Sequence, residues 1–382
     1  MRDVFIVSAV RTPIGRRRGM YAEVPPIDLA VPVLQAAVQA AGLEPAQVED
    51  VVFGCVTPLG EQGANIARLA VLKAGWPMTV PAVTLNRMCG SSQQAIHFAA
   101  QAILAGDMDV VVAGGVEHMT RVPMGSDYPA QWPDLPYTLV SQGISAEMMA
   151  ARWEISRAAL DQFSYESHHK AAIATRNGHF AAEIVPMTVP LPATEGGDGR
   201  RTVTIDEGIR FDASLEKMAT LKPAFKEDGV ITAGNSSQIS DGAAAVVLAS
   251  DEAVRRWNLQ PLARVVTRVV VGDDPVLMLA GVIPATQKAL ARAGLSVDDI
   301  AVFEVNEAFA SVVLAWQQDI EPDPERVNPN GGAIALGHPL GASGARIMAT
   351  LVHELRRRRG RYGLQTMCIG HGMATATIVE AG

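Results

Sequence analysis

The chain has 382 residues, of which 48% are hydrophobic and 19% charged, and its formal net charge is −8 at pH 7. This composition excludes wholesale disorder and predicts two or three domains around a large apolar core. The acidic balance argues against nucleic acid as a partner, and no stretch is apolar enough to span a bilayer. Because the amino terminus lacks signal-peptide features and the three cysteines are far apart, we expect a cytoplasmic protein without disulfides or a zinc site.

Short apolar runs alternate with helix-like segments through the first part of the chain. Strands are predicted at 3–10, 48–56, 81–85 and 109–116, and helices at 28–41, 64–74 and 91–104. This alternation predicts a layered α/β fold with a largely parallel central sheet.

The composition changes after the fourth predicted strand. From about residue 117 to 240 prolines are frequent and long apolar runs are few, although helices are predicted at 145–152 and 156–177. Long excursions from a compact fold commonly cover active sites, so we interpret this segment as an inserted loop domain. The core pattern then resumes at 242–249, and a further strand is predicted at 263–272.

The second half of the chain repeats features of the first. The segment Ala40-Ala-Gly-Leu43 and the strand after it resemble Arg292-Ala-Gly-Leu295 and its following strand. In both places a helix ends at a glycine and a turn leads into a strand. The sequence therefore predicts an internally duplicated α/β fold, with a first half at 1–250 and a second half at 260–382.

One cysteine lies at a predicted junction between a strand and a helix. Cys89 occurs in Asn86-Arg-Met-Cys-Gly-Ser-Ser92, after the apolar run that ends at Leu85. The unpaired N–H groups and positive potential at a helix start favour a thiolate. The alternative is a small buried residue in a tight turn, which is how we interpret Cys55. For Cys89 the local electrostatics favour a nucleophile.

A glycine-rich stretch at 328–346 carries a single histidine, His338, followed by a stiffening proline. We interpret Ser343 as the N-cap of the helix predicted after it. An imidazole on such a loop suits acid–base or oxyanion chemistry, whereas the alternative is an incidental surface histidine. Cys368 likewise ends an apolar run before glycines, and a thiol of near-neutral pKa there would serve as a general acid or base.

Asn306 follows another predicted strand, in the segment Glu304-Val-Asn-Glu-Ala-Phe-Ala310. An asparagine at this position can hold a water molecule or donate to an oxyanion. The alternative is an ordinary cap between a strand and a helix.

Motifs spread over essentially the whole chain resemble those of the thiolases, the family of acetyl-CoA acetyltransferases and 3-ketoacyl-CoA thiolases. The matching segments are Val10-Arg-Thr-Pro-Ile-Gly15, Asn86–Ser92, 114–119, 232–242, Asn306-Glu-Ala-Phe309, 328–344 and Cys368-Ile-Gly370. The resemblance implies a five-layered αβαβα fold of two similar halves with an inserted loop domain. It also implies an acyltransferase that reversibly cleaves 3-ketoacyl-CoA with coenzyme A, or condenses acyl-CoA.

The resemblance assigns a role to each candidate catalytic residue. Cys89 would be the nucleophile that carries the acyl group, and His338 would activate it. His338 and a water held by Asn306 would form one oxyanion hole, while the backbone N–H groups of Cys89 and Gly370 would form a second. Cys368 would move a proton to or from the α-carbon. No metal and no redox cofactor are expected, because coenzyme A is a substrate.

Coenzyme A is polyanionic, so an acidic chain needs a local basic patch to bind it. By resemblance Arg210 would contact the adenosine phosphate, and the pantetheine arm would pass small and apolar side chains. The candidate coenzyme A contacts are Arg210, Lys217, Lys222, Ser237, Ile239 and Phe309.

The sequence departs from the thiolase pattern at three places. His371 and Ala374 stand where many thiolases have glycine, which puts a side chain and a different backbone preference near the site. Ser141 and Gln142 stand where biosynthetic acetoacetyl-CoA thiolases often have His-Met, which favours a broader 3-ketoacyl specificity. Neither chain-length preference, nor reaction direction, nor a hydratase or dehydrogenase partner can be inferred from the sequence.

We expect a homodimer or homotetramer, with the segment 124–137 as a candidate tetramer contact.

A decarboxylating condensing enzyme of the ketoacyl-synthase type is an alternative function, against which Cys368 argues. A non-catalytic acyl-CoA or lipid carrier on the same fold is a second alternative, against which the intact Cys89, His338 and Cys368 argue. We interpret His168 and His169 as part of a solvated helix face, not as a metal site.

Overall fold

The computed structural model describes residues 2–191 and 199–382, and within them it forms a ten-stranded mixed sheet and a two-stranded one. The glycine-rich part of the predicted loop domain at 193–198 lies outside the described residues. The strands are β1 (Val4–Arg11), β2 (Gly15–Arg16), β3 (Asp50–Gly54), β4 (Ala82–Leu85), β5 (Val110–His118), β6 (Met187–Pro190), β7 (Arg200–Val203), β8 (Ser240–Ser250), β9 (Ala263–Gly272), β10 (Ile300–Val305), β11 (Tyr362–Ile369) and β12 (Met373–Ala381).

The helices occupy the intervals between these strands, close to where the apolar periodicity predicts them. They are α1 (Pro26–Ala40), α2 (Ile66–Lys73), α3 (Ser91–Ala105), α4 (Gln142–Arg152), α5 (Arg157–Arg176), α6 (Leu215–Ala219), α7 (Asp251–Trp257), α8 (Val282–Ala293), α9 (Ala310–Ile320), α10 (Ala333–Leu336) and α11 (Ser343–Arg358).

The ten-stranded sheet consists of two similar halves. In the first half the order is β4-β3-β5-β8-β1, and in the second it is β10-β11-β12-β9. In the second half, Val327 forms a parallel bridge with Phe303 of β10. This bridge corresponds to the parallel pairing of β4 with β3 in the first half. The halves join where Phe5 and Ile6 of β1 pair with Arg264 and Ala263 of β9.

The prediction of a largely parallel sheet is wrong. Parallel pairing connects β3 with β4 and β5, where short helical crossovers link the strands, and β10 with β11. β8 instead runs antiparallel to both β5 and β1, because the chain returns to the sheet only after the long excursion. β5 and β8 are covered on both faces, so both strands are continuous apolar runs whatever their direction.

Five layers follow from the three large apolar clusters. α1 and α2 pack on the outer face of the first half-sheet. α3 and α11 lie between the two half-sheets, and α8 and α9 cover the outer face of the second. This arrangement confirms the predicted αβαβα fold. Each buried Val, Leu or Ile of these clusters stabilises the fold by about 1.5–3 kcal/mol relative to an exposed one.

The inserted segment between β5 and β8 contains α4, α5, α6 and the two-stranded sheet. Its helices pack through Ala146, Met149 and Leu160 against the cluster that covers the second half-sheet. The carboxyl ends of the parallel pair β10 and β11 point to the same edge, so the residues that follow these strands come together under the inserted segment.

Candidate active site

Cys89 lies in a tight turn between β4 and α3 that side chains hold from both ends. Asn86 donates from Nδ2 to the carbonyl of Val56 at 2.8 Å and accepts the N–H of Met88 at 2.7 Å. Met88 adopts φ 45°, an uncommon left-handed conformation for a residue with a side chain. Ser91 Oγ accepts the N–H of Arg87 at 2.9 Å. The turn places Cys89 in the interior, with 4% of its surface exposed.

Burial and hydrogen bonding act in opposite directions on the Cys89 thiol. Burial is the main cause that raises its pKa to about 11, and the carboxylate of Glu117 adds to the rise. Hydrogen bonds from the Gln142 side chain and from the backbone N–H of Gly370 lower the pKa. Gly370 is therefore close to the Cys89 thiol, and its place in an oxyanion hole stays a prediction.

Cys368 lies near the end of β11 and is 1% exposed. Burial raises the pKa of the Cys368 thiol, and the negative charge of an ionised Cys89 raises it further. The two thiols thus interact electrostatically. The expectation of a near-neutral pKa for Cys368 is not met: the group is held as a protonated thiol, which is a proton donor.

His338 is buried, with 3% of its surface exposed, so it is not a surface histidine. Its Nε2 lies 3.3 Å from Nδ2 of Asn306, and its Nδ1 lies 2.5 Å from Oγ of Ser343. Ser343 Oγ donates to the carbonyl of Pro339 at 2.8 Å, so it accepts the proton of Nδ1–H. The lone pair of the imidazole is therefore on Nε2, on the side of Asn306.

The prediction that Ser343 is an N-cap is wrong. Ala342 occupies the cap position and Ser343 is the first residue of α11.

Burial, with a smaller contribution from the charge of Arg346, lowers the pKa of His338 to about 3. The imidazole is therefore neutral at physiological pH and able to accept a proton.

Asn306 follows β10 beside β11, and its backbone N–H donates to the carbonyl of Thr366 at 3.0 Å. Its Oδ1 is buried and has no hydrogen-bond partner within residues 2–191 and 199–382. A buried, unpaired carbonyl oxygen is costly, so this atom suits a bound polar group such as the predicted water.

The loop that carries His338 packs directly on the paired ends of β3 and β5, against Gly54 and Gly115. A Cβ at Gly115 would lie 2.0 Å from the carbonyl oxygen of Gly341, so only glycine allows this approach. Leu340 of the same loop packs with Cys89 and Val56 in one small apolar cluster. The structure therefore brings Cys89, His338, Cys368, Asn306 and Gly370 to one site.

Glu117 was not assigned a role from the sequence, yet it fixes the surroundings of this site. Its buried carboxylate accepts the backbone N–H groups of Val56 at 2.8 Å, Thr57 at 3.1 Å and Gly341 at 2.9 Å. The carboxylate thereby ties the end of the first half-sheet to the loop of His338. Its signal in the sequence is a single acidic residue within β5, directly after the buried, glycine-containing run 110–116.

A cavity of about 370 Å³ lies largely within the inserted segment, where Ile334 closes it from the second half of the chain. Arg210 and Lys217, two of the candidate coenzyme A contacts, line it together with His168, Gly234 and Gln238. Asp212 also lines the cavity, 3.2 Å from Lys217 Nζ, so two cations and one carboxylate leave a net positive charge that suits a phosphorylated ligand.

The other candidate coenzyme A contacts are not among the residues that line this cavity. Ser237 donates from its backbone N–H to the carbonyl of Ala308 at 2.9 Å, and Phe309 packs edge-on against Phe225 at 5.9 Å. Ile239 packs against the apolar cluster around Cys89. Lys222 is exposed and lies outside the cavity lining.

The interpretation of both histidines on α5 as a solvated face is wrong for His168. His168 is buried, and its Nδ1 accepts the backbone N–H of Arg210 at 3.1 Å. Burial, with a contribution from Arg210, lowers the pKa of His168 to about 4. His169 is exposed and stacks on Tyr165.

Comparison with known proteins agrees with this geometry. Residues 4–252 match the family "Thiolase, N-terminal domain" and residues 259–381 match "Thiolase, C-terminal domain". The chain belongs to the thiolase family. As a member of that family it is an acyltransferase.

The similar curated proteins are full-length matches. This thiolase is 47% identical to the steroid 3-ketoacyl-CoA thiolase FadA6 of Mycobacterium tuberculosis, over all of this chain and 94% of that protein. It is 45% identical to a 3-ketoacyl-CoA thiolase of Yersinia pestis, over the whole length of both.

The similar solved structures share the whole fold. The human mitochondrial 3-ketoacyl-CoA thiolase matches with a TM-score of 0.92 at 38% identity, over all of this chain and 99% of that one. The Bacillus anthracis acetyl-CoA acetyltransferase matches with a TM-score of 0.93 at 40% identity, with the same coverage.

The departures of this thiolase from the family pattern have structural explanations. Ala374 lies in β12, pairs with Cys368 and is fully buried, so its backbone is regular. The left-handed positions of the turn are His371 (φ 63°) and Gly372 (φ 74°). The His371 ring contacts Trp132 edge-on at 5.6 Å and therefore joins the turn after Cys368 to the inserted segment.

The candidate tetramer segment of this thiolase carries large apolar side chains at its surface. The exposed ones are Met124, Tyr128, Trp132, Leu135 and Tyr137.

Among the described residues of the thiolase, no helix combines the length and apolarity needed to cross a membrane. In the same ranges, no group of three or more His, Cys, Asp or Glu side chains is arranged to hold a metal ion.

Proposed function

We propose that this thiolase cleaves 3-ketoacyl-CoA with coenzyme A, and runs the reverse condensation, through an acyl group carried on Cys89. The observation that carries the proposal is the meeting of two buried thiols with a neutral imidazole whose Nε2 lone pair faces Asn306. One thiol serves as nucleophile and the other as proton donor, which is what cleavage of a carbon–carbon bond next to a thioester needs.

The first half-reaction uses His338 as the base. Its Nε2 takes the Cys89 proton, and the sulfur attacks the C3 carbonyl of the substrate. The backbone N–H groups of Cys89 and Gly370 stabilise the resulting oxyanion. When the oxyanion collapses, the C2–C3 bond breaks and its electron pair moves into the enolate of acetyl-CoA. Cys368 then donates its proton to C2 and becomes a thiolate.

The thioester oxygen of the substrate occupies the second oxyanion hole. After accepting the Cys89 proton, His338 donates from Nε2, and Asn306 supplies the neighbouring polar group, directly or through a water. In the second half-reaction the Cys368 thiolate takes the proton of an incoming coenzyme A thiol. The coenzyme A sulfur attacks the acyl carbon, and Cys89 leaves as a thiolate that recovers its proton from His338. No metal or redox cofactor takes part in these steps.

Arg210 and Lys217 are proposed to bind the phosphates of coenzyme A at the cavity they line, with Lys222 as an outer contact. Ser237, Ile239 and Phe309 are proposed to border the pantetheine arm. The position of Ile239, next to the cluster that contains Cys89, supports this path from the cavity to the nucleophile.

The chemistry also bears on the state of the protein in the cell. All three cysteines are free, and the mechanism requires Cys89 and Cys368 to be reduced, which supports a reducing cytoplasm.

The exposed apolar side chains of 124–137 support a homodimer or homotetramer. The limits of β8 at Ser250 and of β9 at Ala263 support a first half at 1–250 and a second at 260–382.

The proposal is tested by trapping the acyl-enzyme. The protein is incubated with acetyl-CoA, quenched in acid, digested and analysed by mass spectrometry. The Cys89 peptide gains one acetyl group, while the peptides of Cys55 and Cys368 do not. The variant Cys89→Ser serves as the control and stays unmodified at every cysteine. An unmodified Cys89 peptide in active wild-type enzyme excludes the mechanism.

A further inference from the structure

His168 is a buried polar residue in the lining of the cavity that Arg210 also lines. It lies on α5 one turn before Ala171 and Ala172, whose side chains pack in a buried cluster that also contains Ile209. The same face of the helix therefore turns the imidazole inward, towards the segment that carries Arg210. The side chain of Arg210 itself is exposed, so a buried ring and an exposed cation border one cavity.

A backbone contact fixes which nitrogen of His168 carries the hydrogen. Nδ1 accepts the N–H of Arg210 at 3.1 Å, so Nδ1 carries no hydrogen itself. Burial, with a contribution from Arg210, lowers the pKa of His168 to about 4, so the ring is neutral and its one hydrogen is on Nε2. The imidazole therefore has a single N–H donor, on the nitrogen that does not bind the Arg210 backbone.

That donor has no acceptor in the fold. Within residues 2–191 and 199–382, the one hydrogen bond of the His168 ring is made by Nδ1. Nε2 is not sealed from solvent either, although only 7% of the residue is exposed. Because the cavity is where this residue meets solvent, the Nε2–H is available to a ligand there.

The chemistry of the cavity favours an anionic oxygen as the acceptor. Arg210 and Lys217 are positive, and Asp212 offsets only one of these charges. The side-chain nitrogen of Gln238 is not available, because it already donates to backbone carbonyls of the fold. A phosphate group carries several acceptor oxygens, so one of them can accept from His168 while others meet the cations.

We propose that His168 is a further coenzyme A contact: its Nε2–H donates a hydrogen bond to a phosphate oxygen in this cavity. The inference rests on the proposed binding of the coenzyme A phosphates by Arg210 and Lys217. It adds a neutral donor that the fold already holds in place to two long cationic side chains that lose conformational freedom on binding.

The two nitrogens of the ring are tested separately by substitution. His168→Asn keeps an acceptor near the position of Nδ1 but loses the donor, whereas His168→Gln places an amide N–H near the position of Nε2. Isothermal titration calorimetry of each full-length protein with coenzyme A measures the dissociation constant without turnover. We expect the dissociation constant to rise about tenfold in His168→Asn and to stay within about threefold of the wild-type value in His168→Gln.

A neighbouring residue and a smaller ligand provide the controls. His169 is exposed and stacks on Tyr165, so His169→Asn leaves the dissociation constant unchanged. Pantetheine has the thiol arm of coenzyme A but no phosphate. As an acyl acceptor it therefore has the same KM in wild type and in His168→Asn, whereas the KM for coenzyme A rises about tenfold. Circular dichroism and the thermal midpoint verify the fold of each variant.

Three outcomes overturn the inference. An unchanged dissociation constant in His168→Asn shows that the Nε2–H meets no phosphate. An equal or larger loss of affinity in His168→Gln shows that the side chain acts only by holding the backbone of Arg210 or by packing. A parallel rise in the KM for pantetheine in His168→Asn shows that the contact is not with a phosphate.

Arg210→Ala distinguishes these results from a failure of the proposed function. If neither Arg210→Ala nor His168→Asn weakens the binding of coenzyme A, the phosphates do not bind in this cavity and the proposed site is wrong. If Arg210→Ala weakens binding and His168→Asn does not, only the inference about His168 fails. Both titrations are independent of whether Cys89 carries an acyl group.

Discussion

At the scale of single residues, the side chains around His338 decide which nitrogen acts as the base. Ser343 Oγ lies 2.5 Å from Nδ1 and donates to the carbonyl of Pro339. Replacing it in Ser343→Ala leaves Nδ1–H without an acceptor and removes the preference for a lone pair on Nε2. We expect kcat to fall by about tenfold or more, because an imidazole in the wrong tautomer is a poor base.

The matched control for this prediction is Ser343→Thr, which keeps a hydroxyl at the same position and retains most of the activity. The measurements are kcat and the rate of Cys89 alkylation, with the thermal midpoint as a check on folding. Equal kcat values for Ser343→Ala and wild type would contradict the assigned tautomer.

Cys368 is expected to matter most at the α-carbon, because in acyl transfer between coenzyme A and Cys89 it only exchanges a proton with the coenzyme A thiol. Cys368→Ser removes the proton donor but leaves Cys89, His338 and both oxyanion holes in place. Exchange of the methyl protons of acetyl-CoA with D2O should therefore fall by about a hundredfold or more, whereas acetylation of Cys89 should change far less. NMR measures the exchange and mass spectrometry measures the acetylation. An equal loss of both activities would refute the role.

The sequence reveals residues whose chemistry depends on their local segment, and misses those whose role depends on a distant partner. Cys89, His338 and Cys368 are each marked by a helix start or a glycine-rich turn close by. Glu117 carries no such mark, because its contacts with the backbone of Val56 and Gly341 form only after the distant segments fold together. Ser343 matches the pattern of a cap, but the nearby imidazole provides its hydroxyl with a better partner.

At the scale of elements, the turn after Cys368 is tied to the segment 124–137. His371 adopts φ 63° and contacts Trp132 edge-on, and Trp132 contacts Tyr128 at 5.5 Å. His371→Gly relieves the unfavourable backbone conformation but removes an aromatic contact worth about 0.5–1.5 kcal/mol. We expect faster proteolysis within 124–137 and an unchanged pH–rate profile, because the imidazole contacts Trp132 and not the reacting thiols.

Trp132→Ala removes the same contact from the other side and should give the same increase in proteolysis. Limited digestion followed by mass spectrometry of the fragments measures it. A pH–rate profile that changes in His371→Gly but not in Trp132→Ala would show that His371 takes part in proton transfer.

The elements themselves could be predicted from the sequence, but their directions could not. The strand predicted at 263–272 is observed as Ala263–Gly272, because its apolar pattern is local. The antiparallel return of β8 depends on the route of the inserted segment, and nothing in the apolar run of β8 encodes it. A strand buried on both faces has the same composition in either direction.

At the scale of the whole molecule, the layered fold buries histidines that must stay neutral. His97 lies on α3 between the half-sheets, and its Nε2 is 2.8 Å from Oγ1 of Thr377 on β12. Burial, with smaller contributions from Arg268 and Arg87, lowers the pKa of His97 to about 3. The unfolded chain protonates this histidine near its ordinary pKa of 6.5, whereas the folded chain does not.

The sign of the pH effect follows from that difference. The stability contributed by a neutral His97 is fully present above pH 6.5 and is lost as the pH falls towards 3. Between pH 7 and pH 5 the loss is about 2 kcal/mol for this one group. Buried carboxylates act in the opposite direction, because the pKa values of Glu117 and Glu307 are raised in the fold and protonation there favours the folded state.

A single variant isolates the histidine from these opposing groups. His97→Gln cannot be protonated, yet its side-chain amide can still hydrogen-bond Thr377. We expect His97→Gln to be less stable than wild type at pH 7 but to lose less stability between pH 7 and pH 5, by about 2 kcal/mol. Thermal midpoints measured across this range for both proteins provide the comparison. Parallel curves would show that His97 is protonated in the folded protein and that the packing between the half-sheets admits the charge.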